Sequence, residues 1–290
     1  MISLLWAVGL GCLAGRLAWL AVRPLVVHPV LARANYRGRA VPTAAGVVLP
    51  LAAVAVEGGR AVTGAFGVGH DVGITTVRAV VLLAAVGFAL LGLVDDLAGG
   101  GGGAVPAGGA PVARGFRGHL GALARGRPTT GALKLLGGGL LALVVVAPIS
   151  GASPGRLLAD AALVALSANL ANLFDRAPGR TVKVALAAFV IVALATRRPS
   201  PLSGPGVVIG AGLGLFVDDL HERLMLGDAG SNVLGAVVGL GLVVSCGPTG
   251  RTIALLAVVA LNLAGELVSF SRVIDAVPPL RLLDRAGRLP

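Results

Sequence analysis

An all-α, polytopic bundle of membrane helices is the fold this sequence predicts, on three observations. Hydrophobic residues fill 56% of the 290 positions and the mean hydropathy is +0.92. Charged residues make up 13%, against about 25% in soluble domains. The apolar residues also arrive in long runs, and a helix needs about 20 of them to cross a bilayer.

On that ruler nine spans are expected, at 2–22, 43–63, 76–94, 132–149, 156–174, 181–196, 205–217, 231–246 and 252–271. The first resembles a signal peptide but lacks a positive leading segment, and Arg23 follows the apolar run. A retained span with its N-terminus outside fits that order better. The second span follows a polar loop, Arg33 to Gly46, whose arginines suit either a diphosphate or lipid headgroups. The third ends on Asp95 and Asp96. The sixth and seventh are short, and neighbouring helices would have to shelter their polar backbone.

Five segments then face inward: 23–42, 95–134, 175–183, 218–230 and 272–290. They carry most of the 24 basic residues, which is the bias expected of cytoplasmic loops. The net charge of +11 is thus explained by topology and attraction to anionic lipid, with no nucleic acid as partner. The chain reads as one integral membrane domain, 1–290, with a cytoplasmic loop at 95–134 and a cytoplasmic basic tail at 272–290. Within that loop, five glycines at 99–103 open a Gly/Pro-rich stretch. It has no Gly-Lys-Ser/Thr and so is a linker, not a phosphate-binding loop. His119, further on, is a lone histidine. Cys12 and Cys246 sit in apolar runs and are expected as free buried thiols.

The polar residues at the inner ends carry the chemistry. Asp95 and Asp96 are adjacent carboxylates, a pair that persists where a cation or shared proton helps; a solvated helix end is the plainer alternative. Asn169, Asn172 and Asp175 recur every third residue and form a staircase on one helix side. They suit either a polar cleft or contacts to another helix. Arg176 and Arg180 follow, able to pair with Asp175 or to meet an anion. Lys134 stands at the mouth of the fourth span, where it can meet a phosphate or snorkel to the surface. Asn262 and Glu266, one turn apart, read as an interhelical contact. Gly227-Asp228-Ala229-Gly230-Ser231 opens the eighth span, where free N–H groups of a helix start suit an anion.

The ordered set Asp95-Asp96, Asn169-x-x-Asn172-x-x-Asp175 and Gly227-Asp228-x-Gly230-Ser231 resembles the polyprenyl-phosphate N-acetylhexosamine-1-phosphate transferase superfamily. Its members include the phospho-N-acetylmuramoyl-pentapeptide transferase of peptidoglycan synthesis. The resemblance runs from about Asn35 to Leu261. It implies a bacterial inner-membrane enzyme with a cytoplasmic active face. Such an enzyme moves a sugar-1-phosphate from a UDP-amino sugar to polyprenyl phosphate, releases UMP and requires Mg²⁺. By that resemblance Asp95, Asp96 and Asp175 are the catalytic candidates, and Asp175 and Asp228 the metal ligands. Asn169, Asn172, Lys134, Arg176, Arg180 and Ser231 would hold substrate. Membrane lipids are expected partners, and a second copy of the chain is a further candidate. A silent relative that binds polyprenyl phosphate or cell-wall partners is the alternative.

The chain departs from the family in three places. Arg176-Ala-Pro-Gly-Arg180 stands where a second acidic motif is usual. Asp218-Asp219-Leu-His221-Glu222 replaces an Asn-x-x-Pro-Ala pattern. The segment from Ser271 to Arg288 replaces a histidine-rich loop, and no tenth span follows it.

Overall fold

The computed structural model describes residues 1–69, 73–98, 130–151 and 153–289. The expected linker at 99–113, His119 and most of the 95–134 loop lie outside them. Nine long helices follow one another among the described residues: α1 (Ile2–Val26), α2 (Val48–Ala65), α3 (Thr76–Ala98), α4 (Thr130–Val146), α5 (Pro154–Phe174), α6 (Arg180–Thr196), α7 (Ser203–Leu220), α8 (Gly227–Ser245) and α9 (Pro248–Leu267). Each overlaps one of the nine apolar segments, with ends displaced by up to five residues. Seven are long and apolar enough to cross a membrane by length and composition; α4 and α6 have 17 residues each. Two short helices close the chain, α10 (Phe270–Ala276) and α11 (Pro278–Arg285).

The helix ends follow from local chemistry. Proline opens α5 and α9 after Ser153 and Gly247, a position where its missing N–H costs nothing. Gly179 takes φ +70 to start α6 and Gly227 takes φ +66 to start α8, a region that glycine enters without steric penalty.

The bundle is built around α8, which packs on α3, α5, α6 and α7. In its apolar window, 72% of residues are buried, against 6% in α9, which leans mainly on α5. The apolar side chains that face outward, such as Leu5, Leu13, Leu17, Leu256 and Leu263, suit lipid contact.

Glycines set the closest approach. Along α1 and α7, a Cβ on Gly11 would meet the Val207 carbonyl oxygen at 2.0 Å, and one on Gly210 would meet that of Val8 at 2.1 Å. Gly15 and Gly214 repeat the relation four residues on, against Ala211 and Cys12. This is small-residue packing, in which bare backbones touch.

Between α1 and α2 the chain forms an antiparallel hairpin, β1 (Ala32–Ala34) paired with β2 (Ala40–Pro42). A single turn of 3₁₀ helix, Ala45–Val47, leads into α2. Beyond the hairpin the strand continues alongside the run before α8. Met225 N–H donates to Pro42 O (2.8 Å), and Ala45 and Gly46 donate to Met225 and Leu226 carbonyls at 3.2 and 3.0 Å. The loop after α1 is thereby fixed against the start of α8.

Candidate functional site

Asp228 is the second residue of α8, where the backbone N–H groups have no partner inside their own helix. Asp96, from the last turn of α3, supplies the missing acceptors: its carboxylate receives Asp228 N–H at 2.9 Å and Ala229 N–H at 3.0 Å. It caps α8 from a neighbouring helix. The fit needs glycine at two places. A Cβ on Gly227 would lie 2.5 Å from an Asp96 oxygen, and one on Gly92 would lie 2.2 Å from Asp228 O.

The Asp228 carboxylate turns to the opposite side. One oxygen accepts from Lys134 Nζ of α4 and the other from Asn172 Nδ2 of α5. Lys134 also stands 3.9 Å from Asp95. Asn172 reaches Ser231 Oγ at 3.1 Å. Four helices, α3, α4, α5 and α8, therefore bring Asp95, Asp96, Lys134, Asn172, Asp228 and Ser231 to one end of the bundle. Ser231 is fully buried and the other five are partly buried, so the charges among them act in a medium poorer than water.

The expected staircase of α5 divides among three partners. Asn172 joins the centre just described. Asn169 instead donates to Asn262 Oδ1 of α9 at 2.7 Å, and Asn262 donates to the Leu166 and Val258 carbonyls. The plainer reading of these two amides, a bond between helices, is the one the geometry presents.

Asp175 caps the end of α5 and accepts from Thr181 Oγ1 at 3.0 Å. It lines a neighbouring cleft of about 340 Å³ with Asn35, Tyr36, Arg176, Asp219 and Glu222. Burial pushes its carboxyl well above the usual carboxylate range. Asp219, then Asp228 and Asp96, push it further, against the single hydrogen bond from Thr181. A single inner-face cleft shared by Asp95, Asp175 and Asp228 is the arrangement their motifs suggest, and the structure does not present it: Asp175 lines a cleft without the other two, coupled to Asp228 and Asp96 only through the repulsion of their charges.

Asp219 and Glu222 stand in the sequence among the inner-face acids but carry no assigned role there. Asp219 accepts Gly179 N–H at 3.0 Å. Glu222, buried and at φ +56, receives Asn35 Nδ2 at 2.7 Å, Tyr36 OH at 3.3 Å and Arg37 Nε at 3.2 Å. It fastens the hairpin tip over the cleft. The acidic run Asp218 to Glu222 places them at an inner helix end, and their partners, Gly179 and the hairpin tip, lie 40 or more residues away. Asp218 pairs with Arg16 of α1 and with Arg223, so the arginine inside the first span has a named counter-charge.

Arg180 is buried, and its fork is filled. It meets Asp284 of α11 at 2.8 and 2.9 Å and Ser271 at 2.8 Å. Arg176, also placed with the substrate by sequence, lines the Asp175 cleft.

The chain matches no family model and no curated protein.

Among the described residues no three carboxylate, histidine or cysteine side chains form a preformed metal cage. Mg²⁺ asks for less, because one or two carboxylates suffice when phosphate oxygens and water complete its shell. Asp228 and Asp175 have the right chemistry for that demand. A cation nearby would favour the ionised form that burial and like charge disfavour at Asp175.

Proposed function

We propose that the chain transfers a sugar-1-phosphate from a UDP-amino sugar to polyprenyl phosphate, at the cytoplasmic face of a bacterial inner membrane. The observation that carries this reading is the meeting of Asp95, Asp96, Lys134, Asn172 and Asp228 at one end of a membrane bundle. All but Lys134 belong to the three motifs on which the resemblance to the polyprenyl-phosphate N-acetylhexosamine-1-phosphate transferases rests, and Lys134 opens the fourth apolar segment. A lipid phosphate and a water-soluble nucleotide sugar can meet only at such an interface.

In the reaction an oxygen of the lipid phosphate forms a bond to the sugar-bearing phosphorus of the donor. The bond from that phosphorus to the bridging diphosphate oxygen breaks, and UMP leaves with the electron pair. Phosphoryl transfer of this kind asks a protein chiefly for positioning and charge neutralisation. Lys134 is the cation at the mouth of α4 and would hold the incoming phosphate. Asn172 would orient Asp228, and Asp95, beside Lys134, would keep that amine in place. Asp228 and Asp175 are the carboxylates that would hold Mg²⁺ once substrate phosphate is bound, and the ion would there neutralise diphosphate charge. The Asp175 cleft, closed by the Asn35–Arg39 hairpin tip, would take the donor.

One observation favours a second reading. Asp228 is already satisfied by Lys134 and Asn172, and Asp96 by two backbone N–H groups. A silent relative that binds polyprenyl phosphate through Lys134 would need no more. Purified protein given Mg²⁺, polyprenyl phosphate and a panel of UDP-amino sugars separates the two. The transferase reading expects UMP release that Asp228→Asn abolishes. Absence of UMP with every donor, with full complementation in cells by Asp228→Asn, would reject it.

A further inference from the structure

The segment expected as a basic tail, 272–290, packs on the end of the bundle over its described residues, together with Phe270 and Ser271. Phe270 stacks on Phe174, with ring centroids 4.7 Å apart and planes 8° from parallel. Asp284 engages Arg180 through two bonds, and Arg288 Nε donates to Pro178 O at 2.8 Å. Lys183, in the first turn of α6, donates to the Leu283, Asp284 and Ala286 carbonyls at 2.7–2.9 Å. A cation at these carbonyls closes the C-terminus of α11 as a lysine there should. All these anchors lie where α5 ends and α6 begins, at the level of the helix mouths that hold Asp175.

The outward side of the segment is apolar and basic together. On an α-helix Leu282 stands about 200° round from Asp284, so it points away from the bundle when Asp284 points in. Leu282 and Leu283 are 73% and 69% exposed. Arg281 and Arg285 flank them and Arg272 lies on α10, all exposed. Asp275, the one exposed acid of the segment, takes the Arg285 guanidinium at 3.3 Å. Two neighbouring leucines held out into water are unfavourable, and nothing in the bundle covers them. An amphipathic helix with leucines on one side and arginines beside them is the pattern that lies in a bilayer interface, apolar side among the acyl chains and basic groups at anionic headgroups.

We propose that α10 and α11 form an interfacial anchor, which seats Leu282 and Leu283 in the acyl region of an anionic leaflet and braces the Asp175–Arg180 loop against it. The partner is the bilayer itself, chosen by the charge of Arg272, Arg281 and Arg285 and by the position of the segment at the helix ends. The inference does not depend on the transferase reading.

Nitroxide accessibility tests it. The full chain, with Cys12→Ser and Cys246→Ser, would carry one labelled cysteine from Leu282→Cys, Leu283→Cys or Asp275→Cys. It would be placed in nanodiscs of phosphatidylcholine alone or mixed with phosphatidylglycerol. With phosphatidylglycerol present, labels at 282 and 283 should prefer oxygen over a water-soluble nickel complex several-fold more than the label at 275. Removing the anionic lipid, or adding Arg281→Gln with Arg285→Gln, should lower that preference at least twofold. Nickel access at 282 and 283 equal to that at 275 in both bilayers overturns the proposal. Equal oxygen preference in both bilayers overturns its anionic part. Spin–spin broadening at 282 with neither reagent gaining access assigns the face to a second copy of the chain and likewise overturns it.

Discussion

Lys134 and Asp228 form an ion pair that ties the start of α4 to the start of α8, and Asn172 holds the second oxygen of the same carboxylate. Both side chains are largely buried, at 16% and 24% exposure. Removing one partner of such a pair leaves a charge without compensation, at a cost of about 3–5 kcal/mol when burial is complete. Lys134→Met should therefore destabilise the detergent-solubilised protein by about 2–3 kcal/mol. Lys134→Met with Asp228→Asn should cost less than the sum of the two single changes, because the orphaned charge is gone. Thermal unfolding of the four proteins checks this, and strict additivity would argue against the pairing.

Asp96 works as a cap, and that role can be separated from chemistry. Asp96→Ala should lower stability by about 1–2 kcal/mol, the usual cost of losing a capping side chain. Asp96→Asn keeps one acceptor for the N–H groups of Asp228 and Ala229 and should recover about half of that loss. If Asp96 also takes part in transfer, UMP release will fall in both variants alike while stability differs between them.

The glycine contacts predict sharp positional effects. Gly210→Val would drive a side chain into the Val8 backbone and should cost about 3 kcal/mol, at the upper end of overpacking. Gly9→Ala meets nothing within 4 Å and should change stability by less than about 0.5 kcal/mol. Comparable unfolding temperatures for the two would contradict the close approach of α1 and α7.

The long helices were legible because lipid imposes a length on every crossing helix, and the apolar runs carry that length without knowledge of tertiary contacts. The polar centre was legible in part. Asp228, Lys134, Asn172 and Asp95 sit at helix mouths, and any bundle with this order of spans brings such mouths to one end. Which partner each side chain takes depends on helix rotation and distance, and the sequence pattern leaves both free. Asn169 and Asn172 look equivalent along one helix side, yet one faces α9 and the other α8. Arg180 reads as an anion-binding group in its loop, because its counter-charge, Asp284, lies 104 residues away. Gly11, Gly15, Gly210 and Gly214 look like composition until two backbones are seen to touch.

Asp284 gives the docked C-terminal segment a defined pH limit. Burial alone would raise its carboxyl. The guanidiniums of Arg180 and Arg288 outweigh burial and hold the group below the usual carboxylate range. A carboxyl whose pKa is depressed by folding adds stability that is complete above its unfolded value, about 3.9 for aspartate, and is lost as pH falls through the folded value. The anchor of α11 should thus be constant from neutral pH down to about pH 5 and weaken below about pH 4. Protonation there leaves Arg180, which is 5% exposed, with only Ser271 as a partner and leaves Arg288 with its bond to Pro178 O alone. A nitroxide attached after Leu289→Cys, with both native cysteines replaced by serine, should become mobile over that acid window. Asp284→Asn should show the mobile spectrum already at pH 7 and little further change on acidification. An unchanged spectrum for Asp284→Asn at pH 7 would mean that the Phe270–Phe174 stack and the Lys183 contacts hold the segment without the Arg180–Asp284 pair.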